Sequence, residues 1–509
     1  MVTRRAVRTR DQRRGAGVPQ LAWRQVSNPY HPVEVLSADQ VEAIHHASLR
    51  LLETIGMKVL QGEARRILEG AGASVDHSTE MVRFDRGMVQ ELVAKVPRRF
   101  TLRARNPERN LTLGDNKIVF SSVGGPAYCH DLDRGRRRGT YAEVCDYLRI
   151  IQRLNIIHQE GGGPFEALDL PPETRHLDLY LSQIRLLDKN WQCWALGAER
   201  AIDGIEMACI AFGTDREGLA RDPALLAIVN TNSPLQLDVP MAEGTIELAR
   251  AGQVVCITPF TLAGAMSPAT IAGTLVEQNA EVLAGLALIQ AVRPGAPAMY
   301  GAFASNVDMR SGSPAFGTPE YTKAAHASGQ LARRYGIPFR SSNTTASNAV
   351  DAQAAYESAM SLWGAVLGHA NLVNHAAGWL EGGLTASFEK LVLDAEMLQM
   401  MAEYLRPIEV SEDTLAVEAI RAVGPAGHFF GSPHTLQRYE TAFYTPLLSD
   451  WRNFKAWEEA GSRTATERAN TLWKRLLEEY EQPPLDPAID EALAAYVEKR
   501  KEGKPAAGG

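Results

Sequence analysis

Residues 298–394 alternate strand-like apolar runs with polar loops and capped helices. The apolar run 298–303 ends in a polar loop, after which Thr318-Pro319-Glu320 opens a helix with threonine as N-cap and proline at the first helical position. The same order then recurs twice more. Repeated strand–loop–helix units predict a parallel α/β fold. In a closed barrel of that kind, functional side chains lie where the strands end.

Strand–helix alternation continues upstream through most of the chain. We predict strands at residues 156–160, 191–196, 225–230, 254–258, 298–303, 338–342 and 372–376. Helices are predicted near residues 173–187, 201–212, 240–251, 268–292, 319–335, 352–367 and 386–405. An eighth strand, expected near residues 427–430, would close an α/β barrel of the TIM (β/α)8 type. An open doubly wound sheet is the alternative, but the chain has no phosphate-binding loop, and Gly161-Gly162-Gly163 lacks the dinucleotide-binding spacing.

Two further parts are predicted around the barrel, an N-terminal α+β appendage and a helical C-terminal extension. Capping boxes at Ser37 and Thr140 open two helices of the appendage. The arginine-rich start of the chain is interpreted as a solvated tail, with an anion-binding arm as the alternative. The expected limits are a disordered basic tail at 1–35, the appendage packed on the barrel at 36–150, the barrel at 151–430, the helical extension at 431–500 and a disordered tail at 501–509.

Composition argues against several functional classes. The 509 residues are 45% hydrophobic, which allows a large core, and their net charge of −7 gives no support for nucleic-acid binding. No run approaches the roughly 20 apolar residues of a membrane span, and no apolar run follows the N-terminal arginines as it would in a secretory signal. The five cysteines are scattered without a Cys-x-x-Cys pair, as is typical of reduced thiols. We therefore expect a cytoplasmic protein without membrane contact.

The predicted strand ends supply side chains that could carry chemistry, and most of them are aromatic or amide groups. They are Glu160, Trp194, Asn230, Asn232, Phe260, Tyr300, Phe303, Asn343, His375 and Trp379. The lack of lysine there argues against a Schiff-base enzyme, the lack of a ligand cluster against a metal site, and the lack of Gly-x-Ser-x-Gly against a serine hydrolase. An aromatic cavity without lysine suits an ammonium ligand, although barrel packing is the simpler explanation of any single ring.

A series of motifs follows in a specific order: Asp308-Met309-Arg310-Ser311-Gly312, Gly317-Thr318-Pro319-Glu320, Asp351-Ala352-Gln353-Ala354-Ala355-Tyr356-Glu357, Ser387-Phe388-Glu389-Lys390-Leu391-Val392-Leu393-Asp394, Gly427-His428-Phe429-Phe430, His434-Thr435-Leu436 and a helix containing Trp457. Together they resemble the trimethylamine methyltransferase family, from about residue 35 to 500. The resemblance implies a TIM barrel that moves a methyl group from a methylated amine to the cobalt of a separate corrinoid protein. Cobalamin would then be presented by that partner, with no cofactor bound tightly by this chain.

The resemblance also implies a substrate class. Methanogen trimethylamine enzymes carry pyrrolysine, whose equivalent we place within residues 341–351, and this chain has only standard residues there. A quaternary ammonium needs no such activation, because its leaving group is already a neutral amine. We therefore expect a homo-oligomeric methyltransferase that acts on a quaternary amine, with glycine betaine as the first candidate. The same chemistry on trimethylamine, another betaine or a sulfonium, and a non-catalytic barrel that binds quaternary amines, remain alternatives.

Nine residues are candidates for substrate binding under this hypothesis. A cage for the cation is assigned to Tyr300, Phe303, Trp379 and Phe430. Groups for a substrate carboxylate are assigned to Arg340, Asn343, His375 and His428, and the strand-end carboxylate Glu160 completes the set. No protein nucleophile is assigned, because the resemblance makes cobalt the nucleophile.

Overall fold

The computed structural model describes residues 17–503, and its centre is a ring of eight parallel strands, each followed by a helix. The strands are β1 (Lys117–Ser122), β2 (Gln159–Glu160), β3 (Asn190–Trp191), β4 (Leu226–Val229), β5 (Val254–Ile257), β6 (Ala298–Gly301), β7 (Phe339–Ser342) and β8 (Leu372–Ala377). The helices are α1 (Tyr141–Arg153), α2 (Arg175–Leu186), α3 (Ala198–Phe212), α4 (Val239–Arg250), α5 (Ile271–Val292), α6 (Pro319–Tyr335), α7 (Ala352–Leu367) and α8 (Phe388–Tyr404).

Neighbouring strands pair around the ring in the order β3-β2-β1-β8-β7-β6-β5-β4, and every pair is parallel. A parallel bridge between Gln192, directly after β3, and Leu226 at the start of β4 closes the ring. The predicted TIM barrel is confirmed. Each of the seven strands expected from the sequence, and the helix after it, is present within a few residues of its predicted position.

The expected eighth strand at residues 427–430 is wrong. Those residues form turns outside any strand, and the remaining barrel strand is β1, inside the range 36–150 assigned to the appendage. All of β1 except Lys117 is buried, so its sequence shows no alternation that would separate it from the hairpin before it. The helix predicted after Thr140 is the helical partner of this strand.

Helix boundaries follow the capping signals in the sequence. The hydroxyl of Thr318 accepts a hydrogen bond of 3.2 Å from the backbone N–H of Tyr321 at the start of α6, and Gly336 ends that helix with φ 67°. Both expected capping boxes form, at Ser37 and at Thr140. These local interactions fix where each helix begins and therefore where each barrel loop ends.

The N-terminal appendage covers α5. Its helices Ala38–Thr54, Gly62–Gly70 and Arg86–Val93 pack against that helix. Beside them lies a small sheet of Gln236–Leu237, Met57–Val59, Met81–Arg83 and Ser74–Asp76. By length and composition α5 could cross a membrane, but 83% of its apolar window is buried between the appendage and the barrel, so it is packed as a core helix.

Residues 17–35 are packed against the barrel, which corrects the prediction of a disordered tail for this part of the range 1–35. The short strand Val26–Ser27 pairs antiparallel with β1, and Asn28 donates a hydrogen bond of 2.9 Å to the carbonyl of Val366. The arginine cluster at residues 4–14 lies outside the described residues.

A hairpin closes the barrel end at which the strands begin. Its strands, Arg99–Leu102 and Leu111–Gly114, are antiparallel. Their leucines form a separate buried cluster with the first residues of the barrel strands: Leu102, Leu111, Leu113, Val119, Leu226, Val254, Cys256, Met299 and Leu372. This apolar plug leaves the opposite end, where the strands finish, as the place for a cavity.

The C-terminal extension is helical, with helices Glu412–Leu415, Val417–Val423, Pro433–Arg438, Phe454–Glu459, Ala465–Glu478 and Pro487–Glu502. The fifth of these packs on α8 and α1, and the sixth packs on α2 and α3. The remaining elements are the helix Arg216–Arg221, the 3-10 turns Pro107–Arg109 and Glu381–Gly383, and short loop strands at Leu262–Ala263, Ser305–Val307, Pro314–Ala315, Tyr128–Asp131, Gly135–Arg138, Trp379–Leu380 and Thr385–Ser387.

Candidate active site

A cavity of about 470 Å³ opens where the barrel strands end. Its walls come from residues that end or follow seven of the eight strands and from β7 itself, so one site collects side chains far apart in sequence. The lining includes Gly124, Gly125, Gly161, Gly162, Gln192, Trp194, Asn230, Thr258, Phe260, Phe303, Arg340, Asn374, His375 and Trp379. Among residues 17–503, no group of three or more His, Cys, Asp or Glu side chains is arranged to hold a metal ion.

Aromatic rings form one wall of the cavity. The centroid of Phe303 lies 5.2 Å from that of Phe260 and 5.9 Å from that of Trp379. The buried ring of Phe316 supports this wall from behind, 5.6 Å from Phe303. The indole N–H of Trp379 donates a hydrogen bond of 3.1 Å to the carbonyl of Thr345, which fixes the orientation of its ring. Such a wall presents π faces that attract a diffuse cation.

Arg340 places a buried positive charge beside these rings. Its side chain is 1% exposed, and its guanidinium carbon lies 5.3 Å from the Phe303 centroid. One Nη donates a hydrogen bond of 3.2 Å to the carbonyl of Ala302, and Nε has no partner among the described residues. Burial lowers the pKa of Arg340, but a guanidinium stays protonated in proteins.

No carboxylate pairs with Arg340 within the described part of the chain. Of the described residues, Glu166 is the one acidic group that lines the cavity, and it forms an ion pair of 2.6 Å with Arg175. A buried charge without a counter-ion is costly, so the cavity is electrostatically prepared for an anionic group.

His375 is held in a strained backbone conformation at the cavity wall. The pairing of β8 with β1 is irregular between Val373 and Ala377, and His375 within this bulge has φ 53°. The bulge directs the ring into the cavity, 4.6 Å from that of Trp379. Its Nδ1 accepts a hydrogen bond of 3.3 Å from the N–H of Gly124. Burial, together with the nearby Arg340, lowers the pKa of His375 well below its usual range, so the ring is neutral at pH 7.

Amide side chains in or directly after three strands form a hydrogen-bonded network at the cavity wall. The Nε2 of Gln192 donates hydrogen bonds of 3.0 Å to Gln159 and of 3.0 Å to Asn374. Gln192 and Asn374 were not among the site residues predicted from the sequence. Their polar side chains inside the predicted strands 191–196 and 372–376 were a signal that could have identified them.

Glu160 does not line the cavity itself but binds the backbone of the glycine loop that does. The carboxylate is fully buried and accepts hydrogen bonds of 2.8 Å from the N–H of Gly162 and 2.7 Å from that of Gly163, and it also binds the amide of Gln183. Burial raises its pKa to about 7, against the lowering effect of these donors. Gly161 and Gly162 line the cavity, so Glu160 positions the loop that forms part of its wall.

The structure brings Phe303, Arg340, His375 and Trp379 together and leaves four other candidates outside the cavity. Tyr300 points away from the barrel interior, where its hydroxyl donates a hydrogen bond of 3.0 Å to Asn279, because alternate residues of a strand face opposite sides. The amide of Asn343 donates to the carbonyl of Ala376 at 3.0 Å without lining the cavity. The remaining two, His428 and Phe430, lie in the C-terminal extension, and both are exposed.

Comparisons with known proteins agree with the motifs of the sequence. A family model described as trimethylamine methyltransferase (MTTB) matches residues 3–505. The glycine betaine methyltransferase of Desulfitobacterium hafniense (strain Y51) is 38% identical over 92% of this chain and 97% of the relative. The trimethylamine methyltransferase MttB of Desulfitobacterium hafniense (strain DSM 10664 / DCB-2) is 29% identical over 92% of this chain and 94% of the relative.

Among solved structures, the Methanosarcina barkeri monomethylamine methyltransferase MtmB covers 87% of this chain and 93% of its own, with 12% identity and a TM-score of 0.47. That likeness is too weak to carry a functional conclusion. The family match spans nearly the whole sequence, and a relative above 30% identity covers most of it. The chain therefore belongs to the trimethylamine methyltransferase family.

Proposed function

We propose that this enzyme transfers a methyl group from a quaternary amine that carries a carboxylate, with glycine betaine as the first candidate, to the cobalt of a corrinoid presented by a separate protein. The observation that carries this proposal is the buried guanidinium of Arg340, which lies in an aromatic cavity and has no carboxylate partner among residues 17–503. The 38% identity to a glycine betaine methyltransferase supports it.

The two ends of such a substrate match two parts of the cavity. The faces of Phe303 and Trp379 attract the methylated ammonium, at about 1–2 kcal/mol for a desolvated ring. The Nε–H of Arg340 can donate a hydrogen bond to the substrate carboxylate, which supplies the counter-ion that no described residue provides. A ligand with both charges pairs the guanidinium with its carboxylate, whereas trimethylamine would leave Arg340 without a counter-ion among the described residues.

The chain positions and desolvates the substrate and leaves the bond-breaking to its partner. A corrinoid presented by the partner would supply the nucleophile for the methyl carbon, and the C–N electron pair would stay on nitrogen so that a neutral tertiary amine leaves. The aromatic wall and Arg340 hold the substrate in one orientation, which reduces the entropy lost in reaching the transition state. The neutral His375 adds no second positive charge beside the ammonium. Glycines 124, 125, 161 and 162 line the cavity without side chains, which allows a large planar ligand to approach the backbone closely.

Binding titrations with charge-matched ligands test this assignment. We expect wild-type protein to bind glycine betaine, and Arg340→Met to weaken that binding by about 100-fold, in line with loss of a buried charge-assisted pair. Choline, a quaternary amine without a carboxylate, should bind weakly to both proteins. Arg310→Met, which removes an exposed arginine, is the matched control and should retain full affinity.

Methyl transfer to reduced cobalamin, measured with the same ligands and with trimethylamine, separates an enzyme from a binding protein. Demethylation of glycine betaine in preference to choline and trimethylamine supports the proposal. Equal use of choline, or unchanged betaine affinity in Arg340→Met, would contradict the role of the carboxylate. Tight betaine binding without transfer would instead indicate a non-catalytic barrel.

A further inference from the structure

Residues 406–446 project from the barrel as a segment that we call the arm. The arm leaves α8 after Leu405 and forms three short helices before Leu447. No residue from 406 to 447 is buried. This segment therefore has no core of its own and packs little against the rest of the chain.

The arm nevertheless has a defined conformation. Where it returns, the backbone N–H groups of Leu447 and Leu448 donate hydrogen bonds of 2.7 and 3.0 Å to the carboxylate of Glu396 on α8. Inside the arm, Arg438 forms an ion pair with Asp413. These contacts hold the arm in one conformation, as a flexible linker would not be held.

The outer surface of the arm is strongly apolar. Ile408 is 89% exposed, Phe430 88% and Phe443 86%, and Val410, Ile420 and Leu436 are also exposed. With about 150–200 Å² for each large side chain, these and their apolar neighbours present on the order of 1,000 Å² to water. The largest apolar patch of an ordinary monomer is about 300–600 Å², whereas an obligate dimer covers about 1,000 Å² or more on each partner.

A second apolar surface lies beside the root of the arm. Tyr356 and Met360 on α7 and Met400 and Tyr404 on α8 are exposed. The rings of Trp363 and Tyr404 are 5.0 Å apart, which sets the outward faces of the two helices side by side. We call these four exposed residues the α7–α8 face. The arm and this face are two apolar surfaces that adjoin where α8 ends at Tyr404 and the arm begins.

We infer that the arm of one chain packs on the α7–α8 face of a second copy, and that the second copy's arm packs on the first in the same way. Such a two-fold arrangement uses each surface once per chain and leaves neither exposed. A corrinoid protein fits the arm less well. It must leave after each turnover, which would return the apolar arm to water. In addition, α8 begins near the cavity mouth after β8, so Leu405 at its other end lies away from the mouth.

Sedimentation velocity of the full chain and of two variant classes tests the pairing. We expect wild type to sediment as a homo-oligomer at micromolar concentration. The arm variant Ile408→Asp/Phe443→Asp and the face variant Met400→Glu/Tyr404→Glu should each dissociate, with an apparent Kd raised at least about 100-fold. Ile55→Asp, at a similarly exposed apolar residue of the N-terminal part, is the control and should assemble like wild type. Circular dichroism verifies that each variant is folded.

Mixing the two variants gives a readout specific to reciprocal exchange. A heterodimer contains one intact arm on one intact face, so the mixture should assemble more tightly than either variant alone. A monomeric wild type, an arm variant that still assembles, or a mixture without gain would overturn the inference. Hydrogen exchange of the arm amides distinguishes the two partners. If exchange slows when a corrinoid protein is added, but not as the concentration of this chain rises, the arm binds the corrinoid protein instead.

Discussion

Trp379 lies between the aromatic side and the polar side of the cavity, because its ring contacts both Phe303 and His375. We expect Trp379→Leu to weaken binding of a quaternary ammonium about tenfold, because one desolvated π face is lost. Tyr300→Leu is the informative control. Its ring is also buried but packs outside the cavity, so the substitution should lower the free energy of unfolding and leave affinity unchanged. Calorimetric titration of both variants distinguishes these results, and equal loss of affinity would contradict the cavity assignment.

The carboxyl group of Glu160 should give the stability of this protein a distinctive pH dependence. Burial raises its folded-state pKa to about 7 from an ordinary value of 4.5, so the folded state binds more protons than the unfolded state between these limits. Its stabilising contribution is complete below pH 4.5 and is lost as the pH rises through 7, a change of about 3 kcal/mol.

Urea unfolding at several pH values measures this effect as a difference between wild type and Glu160→Gln. The free energy of unfolding of wild type minus that of the variant should decrease between pH 4.5 and 7 and then level off. Glu320→Gln, at an exposed glutamate, is the control and should track wild type. A pH-independent difference for Glu160→Gln would show that its carboxyl group does not titrate in this range.

Individual site residues could be predicted to the extent that strand ends could be located. Phe303, His375 and Trp379 were selected because they end or follow strands, and the cavity contains them. Tyr300 was misplaced because a one-residue shift along β6 moves a side chain from the interior to the helix layer. The hydrogen bond of Gln192 to Asn374 could not be predicted, since it joins a residue directly after β3 to a residue of β8, and these meet only when the barrel is closed.

Strands β5 and β6 approach each other so closely that Gly301 has no room for a side chain. A Cβ at this position would lie 2.0 Å from the hydroxyl of Thr258 and 2.5 Å from the carbonyl of Ile257. We therefore expect Gly301→Ala to destabilise the fold by about 2–3 kcal/mol. Because Thr258 lines the cavity, ligand affinity should fall as well.

Gly70→Ala is a control for the same substitution in open space, since nothing lies within 4 Å of an added Cβ there. It should leave stability unchanged or raise it by about 0.5 kcal/mol. Urea unfolding compares the two variants. A Gly301→Ala protein as stable as wild type would mean that β5 and β6 separate more readily than their pairing indicates.

Repeating elements were predictable because each βα unit carries its own local signals. The N-cap at Thr318 and the helix-ending Gly336 marked α6 within the sequence itself. In the first unit Thr140 marked the helix α1, but strand β1 had no such signal, and only its parallel pairing with β8 and β2 identifies it as part of the barrel. Local chemistry therefore predicts most of the ring, while its closure depends on contacts between residues far apart in the chain.

The contacts proposed for the two surfaces of the molecule differ in how long they last. A corrinoid protein at the cavity mouth would dissociate after each turnover, whereas pairing of the arm with the α7–α8 face of a second copy would be lasting, since large apolar surfaces are costly to expose to water. The arm begins at Leu405, at the end of α8 that lies away from the mouth, so the two proposed contacts would start at different parts of the molecule.

The hairpin plug closes one end of the barrel, so the cavity of the described structure opens at the end where the strands finish. Substrate cannot pass through from the end at which the strands begin, since Leu102, Leu111 and Leu113 fill it. A corrinoid protein seated over the mouth would therefore trap whatever is already inside and bar whatever is not. If the partner docks there, binding would be ordered: the donor would enter before the partner, and the demethylated product would leave after the partner dissociates.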